Sequence, residues 1–307
     1  MRSYIENFCS EFDYPAEATQ VMLSAYDKIC ENNEAAKIWD EILKDYDEKR
    51  QISMTDLKPK CATVIEATGV HDYTIKLLVH ICLSKTLRAY YKEKGLDDGL
   101  WFAAMSDLKW KLIESHLVYD VWGTFVADCN WFSRWYDITR FALGRLQFEI
   151  ASSNCDYDKN GIKLPKGTKI INVHIPRTGT PLNHDEVLDA YRRAKVVFKD
   201  EFKDGEPMIF YCASWLLFPE HTKILHEKSN IIKFMSDYDI FSSDYYSDEN
   251  KSSLWRVFDC PMTVATDDLP ENTFLQRAYK KHLQAGGRRG YGVGLFFADS
   301  IPPADEA

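Results

Sequence analysis

The sequence predicts an α+β protein of two domains, an N-terminal α-helical bundle over residues 1–132 and a mixed β-sheet domain flanked by helices over residues 133–307. Three observations carry this. Apolar residues in the first 130 positions recur at helical spacing. The stretch Lys169 to Phe218 reads as strand, polar turn, helix, strand. Between them, Leu146-Gln147-Phe148-Glu149-Ile150 alternates with period two, which places Gln147 and Glu149 on one face of a strand.

Taken in order, Pro15 opens a helix that Ala18, Val21, Met22, Ala25 and Ile29 continue. Ile38, Trp39, Ile42, Leu43 and Tyr46 form the stripe of a second, with charged residues on its other face. Asp56 to Gly69 reads as a short helix and Tyr73 to Lys92 as a longer one ending at Gly95. Asp97 and Asp98 precede another, in which Trp101, Met105, Leu108, Leu112 and Ile113 share a face. The aromatic-rich segment Val118 to Arg145 reads as the joint between the domains. Ser152 to Thr168, with Asn160-Gly161 and Lys166-Gly167, reads as a polar loop.

In the central stretch, Ile170 to Ile175 is a β-branched strand stopped by Pro176. Asn183 N-caps a helix, with Glu186 placed to reach back, and Val187, Tyr191, Ala194 and Phe198 form its apolar stripe. Met208 to Cys212 is a continuous apolar run, as expected of a strand covered on both faces. Downstream, Pro219 to Leu225 reads as a short helix, while Ile231 to Tyr238, Ile240 and Leu254 to Phe258 read as strands. Ser242 to Ser253 is a polar connection, Pro270 to Gln284 an amphipathic helix, and Tyr291 to Phe297 a last strand before a polar tail.

The charge of -9 argues against a general nucleic-acid binder. No apolar run approaches about 20 residues, so no membrane span is expected. The acidic N-terminus lacks the apolar core of a signal peptide, and a cytoplasmic protein is the expectation. The eight cysteines show no C-x-x-C and sit mostly in apolar segments, which reads as reduced core thiols. His221 and His226 are out of register for one helix face, so no metal site is expected.

The turn Arg177-Thr178-Gly179-Thr180-Pro181-Leu182 places a cation, two hydroxyls and a glycine ahead of a helix N-terminus. It reads either as a tight connection or as a phosphate site. Arg289 to Gly294 spells R-x-x-G-x-G, but a helix precedes it and a strand follows, which is the wrong context for a phosphate loop. His174 is a candidate general base, its alternative a hydrogen-bonded structural histidine. Glu149 is a second candidate base, its alternative a solvated side chain. Ser214 and Cys212, at the end of the next strand, are candidate donors to a leaving sulfur. No G-x-S-x-G elbow appears, so a covalent hydrolase is not supported.

The strings GRLQFEI at 144–150, INVHIP followed by TGTPL, CASWLLFP at 212–219 and SNIIKF at 229–234 resemble bacterial acyltransferase domain-containing proteins. In these a helical N-acyltransferase N-terminal domain precedes a GNAT-like C-terminal domain, and the resemblance runs from Trp131 to Phe297. It implies a co-substrate of acetyl-CoA or another acyl-CoA, with the strand carrying Val173 and Ile175 lining the pantetheine. Arg177, Thr178, Gly179 and Thr180 then meet the pyrophosphate. The expected function is acyl transfer to a small-molecule amine by direct attack, with His174, Glu149 and Ser214 as the reacting groups. The alternative is a non-catalytic module that binds CoA or a small anion, its helical domain holding a partner. A sugar-processing enzyme with paired carboxylates has only scattered acids behind it.

Overall fold

The computed structural model describes residues 1–126, 130–159, 162–203, 205–247 and 252–302. Cys129, the Asn160-Gly161 turn, residues 248–251 of the polar tract and the tail from residue 303 lie outside the described residues. The chain divides into two compact units, residues 1–141 and 142–307.

The first unit is helical: α1 (Arg2–Glu11), α2 (Ala16–Glu31), α3 (Asn33–Lys49), α4 (Met54–Thr68), α5 (Asp72–Glu93), α6 (Asp98–Tyr119) and α7 (Asn130–Tyr136). The starts are set by side-chain caps. Asn32 accepts from the Glu34 and Ala35 amides, Ser53 from Asp56 and Asp97 from Gly99. α4 ends where Gly69 turns left-handed, at φ 63°. α5 is the central helix, with Ile75, Leu77, Leu78, Val79, Ile81, Cys82 and Leu83 all buried. Helix α1, which the sequence reading did not anticipate, buries Ile5, Phe8 and Cys9. The unit runs past residue 132 for a packing reason. Phe132, Trp135 and Tyr136 are buried in it, Tyr46 donates to the Tyr136 carbonyl, and Tyr136 donates to that of His80.

The second unit carries β1 (Arg140–Leu143), β2 (Leu146–Ser152), β3 (Tyr157–Lys159), β4 (Ile162–Leu164), β5 (Lys169–His174), β6 (Ile209–Ser214), β7 (Asp239–Tyr245) and β8 (Gly290–Phe297). Its helices are α8 (His184–Val197), α9 (His221–Ile224), α10 (Asn230–Ser236), α11 (Ser252–Phe258) and α12 (Phe274–Gln284). The six-stranded sheet has the order β1-β2-β5-β6-β8-β7. β5 and β6 pair in parallel, joined by the α8 crossover, while β2 with β5, β6 with β8 and β7 with β8 pair antiparallel. Phe148, Phe210 and Phe296 on one sheet face pack around Tyr191 of α8. The other face carries Ile170, Ile209, Tyr211, Val293 and Leu295, with Tyr157 of β3 packed among them.

Four expectations need correction. The loop 152–168 contains the β3–β4 hairpin. Ile231 to Tyr238 is mostly α10, because Ser229 caps the Ile232 amide and fixes a helical start. Leu254 to Phe258 lies in α11, a run too short for its apolar content to separate strand from helix. The polar tract from Ser242 begins as strand, since β7 pairs with β8 as far as Tyr245. In addition, α12 starts at Phe274 rather than Pro270, where Thr273 and Gln276 form a reciprocal capping box.

Candidate active site

In the β2–β5 ladder Gln147 faces His174 and Glu149 faces Asn172. The four side chains share one sheet face, because alternate residues of a strand point the same way. His174 Nε2 lies 2.9 Å from Glu149 Oε1, and Asn172 Nδ2 donates to the same oxygen at 3.3 Å. Glu149 is 7% exposed and so does not have the solvated position that was its alternative reading. The His174 side chain keeps 18% of its surface. Asn172 Nδ2 also lies 3.3 Å from His174 Nε2; with Glu149 ionised, a state in which a carboxylate only accepts, the imidazole donates from Nε2 and Nδ1 is the basic nitrogen. Gln147 is 2% exposed, and its Oε1 has no hydrogen-bond partner.

The parallel strands pair at Ile171 with Phe210 and at Asn172 with Tyr211. Beyond those residues each keeps a partner only on its outer side, His174 with Gln147 and Ser214 with Gly292. The carboxyl ends of β5 and β6 therefore part. Ligands of open α/β sheets bind at the carboxyl ends of parallel strands, and the Glu149–His174 pair sits at this opening.

Register parity separates the other candidates. Asn172 and Tyr211 are level and share a face, so Ser214, three residues beyond Tyr211, projects to the opposite face with Val173. The structure brings Glu149 and His174 together and sets Ser214 apart from them. Ser214 Oγ accepts from the Leu216 amide at 3.2 Å, capping the 3₁₀ turn Trp215–Leu217. Cys212 is fully buried, and burial pushes its thiol up to about 12.

The turn after β5 is clamped by a residue that sequence reasoning missed. Arg145, in the β1–β2 connection, donates to the carbonyls of Pro176 at 2.9 Å and Pro181 at 3.3 Å, spanning the turn. Burial lowers its pKa, and Glu186 opposes that shift. Gly179 adopts φ 70°, a left-handed conformation that disfavours a side chain. The backbone amides of Thr178, Gly179, Thr180 and Leu182 donate to no described residue. The Asp185 and Glu186 amides of α8 are capped by Asn183, while their carboxylates lie in its first turn. The Arg177 guanidinium forms a two-pronged pair with Asp259, just past α11. Its charge is thus already matched, and Arg145 is the other cation at the turn. Its only signal in the sequence was a place inside GRLQFEI.

The glycines of R-x-x-G-x-G lie inside β8. A Cβ on Gly292 would stand 2.1 Å from the Leu217 carbonyl oxygen, and one on Gly294 2.9 Å from Tyr238 Cβ. They admit the 3₁₀ turn and the Tyr238 side chain against the strand. Among the described residues no cluster of three or more His, Cys, Asp or Glu could hold a metal ion, and no helix is long and apolar enough to cross a membrane.

Several solved acyltransferase structures share this architecture. One, in complex with decanoyl-CoA and teicoplanin, is 22% identical with a TM-score of 0.73, the match covering 96% of this chain and 87% of that one. Another, with CoA and 10C-teicoplanin, matches with the same identity, TM-score and coverage. A third, with decanoyl-CoA alone, is 17% identical with a TM-score of 0.67 over the same shares. At such identities the likeness establishes the fold. No curated protein matches the chain. Residues 3–138 match the N-acyltransferase N-terminal domain and residues 140–296 the GNAT-like C-terminal domain, so the chain belongs to the family that joins these two domains.

Proposed function

We propose that the protein transfers an acyl group from an acyl-CoA thioester to the amine of a small molecule, by direct attack within a ternary complex. The observation that carries this reading is the Glu149–His174 pair, 2.9 Å apart where β5 and β6 part. His174 Nδ1 takes the proton of the attacking ammonium or amine, and Glu149 stabilises the imidazolium that results. The nitrogen adds to the thioester carbonyl, and the tetrahedral intermediate expels CoA thiolate. Ser214 can donate a hydrogen bond to that thiolate, which takes its proton from water, while the imidazolium returns its own proton to solvent. The Ser214 oxygen is engaged by the Leu216 amide while its O–H remains able to donate.

The parted end of β5, with Val173 and Ile175, lines the pantetheine. The amides of residues 178–180 and Leu182 receive the pyrophosphate, with Arg145 supplying positive charge. The complexes of related structures with decanoyl-CoA and CoA support this choice of donor, and those with teicoplanin support a small-molecule acceptor. Calorimetry with decanoyl-CoA, acetyl-CoA and CoA, followed by thiol-release assays over an amine panel, tests the reading. Saturable binding with amine-dependent thiol release is expected.

A non-catalytic CoA-binding module is the second reading. The placement of Ser214 on the sheet face opposite His174 favours it, since the candidate base and the candidate donor to sulfur are then not gathered on one face. Tight CoA binding with no thiol release for any amine would select it.

A further inference from the structure

The helical unit contains a cavity of about 390 Å³ between α4 and α5, lined by Met54, Leu57, Ala62, Ile65, Val79 and His80 among others. This volume lies in the range of small-ligand sites. Its wall is mostly aliphatic. The rim carries two cations, Lys58 and Lys76, and two anions, Glu66 and Asp72, so its charges balance, and Lys76 Nζ lies 2.7 Å from Asp72 Oδ2. Neither a carboxylate nor an ammonium is favoured by such a rim.

The polar feature is His80. It is 1% exposed and lines the cavity, its Nδ1 has no hydrogen-bond partner, and neither ring nitrogen bonds to a described residue. Its ring stacks on Tyr136, with centroids 5.3 Å apart, and packs against Phe132 at 4.4 Å. A buried imidazole without a partner forfeits the hydrogen bonds it makes in water, a cost that a bound polar atom removes. Burial also lowers its pKa to about 3, so it is neutral near pH 7 and carries one donor and one acceptor nitrogen. A hydroxyl satisfies either one. Pro59 inside α4 deletes one backbone hydrogen bond of the helix.

We propose that the cavity between α4 and α5 is a binding site for an uncharged amphiphile, an aliphatic chain ending in a hydroxyl that hydrogen-bonds to His80. The site lies wholly within the helical unit and requires nothing of the acyl-transfer reading. It is tested on the full chain with 1-octanol as the probe, by thermal shift and by amide chemical-shift titration. 1-Octanol is expected to bind saturably and to perturb residues 54–80. Octanoate and octylamine are expected to bind at least about tenfold more weakly, as charged analogues at a charge-balanced rim. Ala62→Trp, at an exposed position on the cavity wall, should abolish the response while the circular dichroism spectrum stays unchanged. His80→Leu, which removes the polar partner but keeps an apolar wall, should weaken 1-octanol by about fivefold or more. No saturable binding, an unchanged response in folded Ala62→Trp, or octanoate or octylamine binding as tightly as 1-octanol would each overturn the proposal.

Discussion

Glu149 reaches His174 diagonally across the β2–β5 ladder. The residue directly opposite the histidine is Gln147, yet the carboxylate oxygen lies 2.9 Å from Nε2. Diagonal neighbours lie within reach of long side chains, and here the contact fixes the imidazole tautomer. If His174 is the general base, His174→Gln lowers turnover by about a hundredfold or more and leaves the Kd for CoA nearly unchanged. Glu149→Gln keeps an acceptor but removes the charge that stabilises the imidazolium, so it lowers kcat more than it raises KM. Steady-state kinetics on both variants check this, and a Glu149→Gln enzyme with the parent kcat and pH profile would show that the pair is structural.

The two arginines at the turn are separable. Arg145→Ala removes both carbonyl contacts that hold residues 176–181. It should weaken CoA binding by about 1–3 kcal/mol, the scale of hydrogen bonds involving charged groups. Arg177→Ala breaks the pair with Asp259, whose side chains are 30% and 31% exposed. That should cost up to about 1 kcal/mol of stability and have the smaller effect on CoA. Calorimetry on the two variants decides. The opposite order would make Arg177 the main phosphate ligand.

Gly292→Ala separates stability from binding. The added methyl meets the Leu217 carbonyl oxygen at 2.1 Å, a backbone atom that moves only with the 3₁₀ turn. Overpacking of this kind costs about 1–3 kcal/mol, and more when the neighbour is backbone. Thermal unfolding should show the loss, whereas a role in phosphate binding would appear instead as weakened CoA affinity at unchanged stability.

How much of this was legible in the sequence depends on the range of the interaction. The β5–α8–β6 unit was readable because its signals are local: Pro176 ends the strand, Asn183 caps the helix, and Val187, Tyr191 and Ala194 mark the buried face. The grouping of Glu149 with Asn172 and His174 was half readable. Alternation gave each strand its polar face, but only the register brings the faces together. Arg145 and Asp259 carried no local signal, since their partners lie 31 and 82 residues away. The apolar runs at 231–238 and 254–258 were too short to show a period, and a single cap residue decided the first.

Stability should depend on pH through two buried histidines. Burial lowers the pKa of His80 to about 3 and that of His221 to about 4, both from 6.5, with the charge of His282 adding to the second shift. Each lies in a different compact unit. Between these values and about 6.5 the unfolded chain binds protons that the folded chain refuses, so the unfolding free energy rises with pH. The contribution is fully present above about pH 6.5. It is lost as pH falls, by up to about 1.4 kcal/mol per pH unit for each histidine. Urea titrations from pH 7.5 to 4.5 should therefore show a declining unfolding free energy. His80→Leu should flatten that decline for the helical unit and leave the sheet unit's slope unchanged, while His221→Gln should do the reverse. A slope unaltered by either substitution would place the acid sensitivity in other groups; the buried carboxyl of Asp237 is not one of them, because burial raises its folded pKa and it opposes the decline.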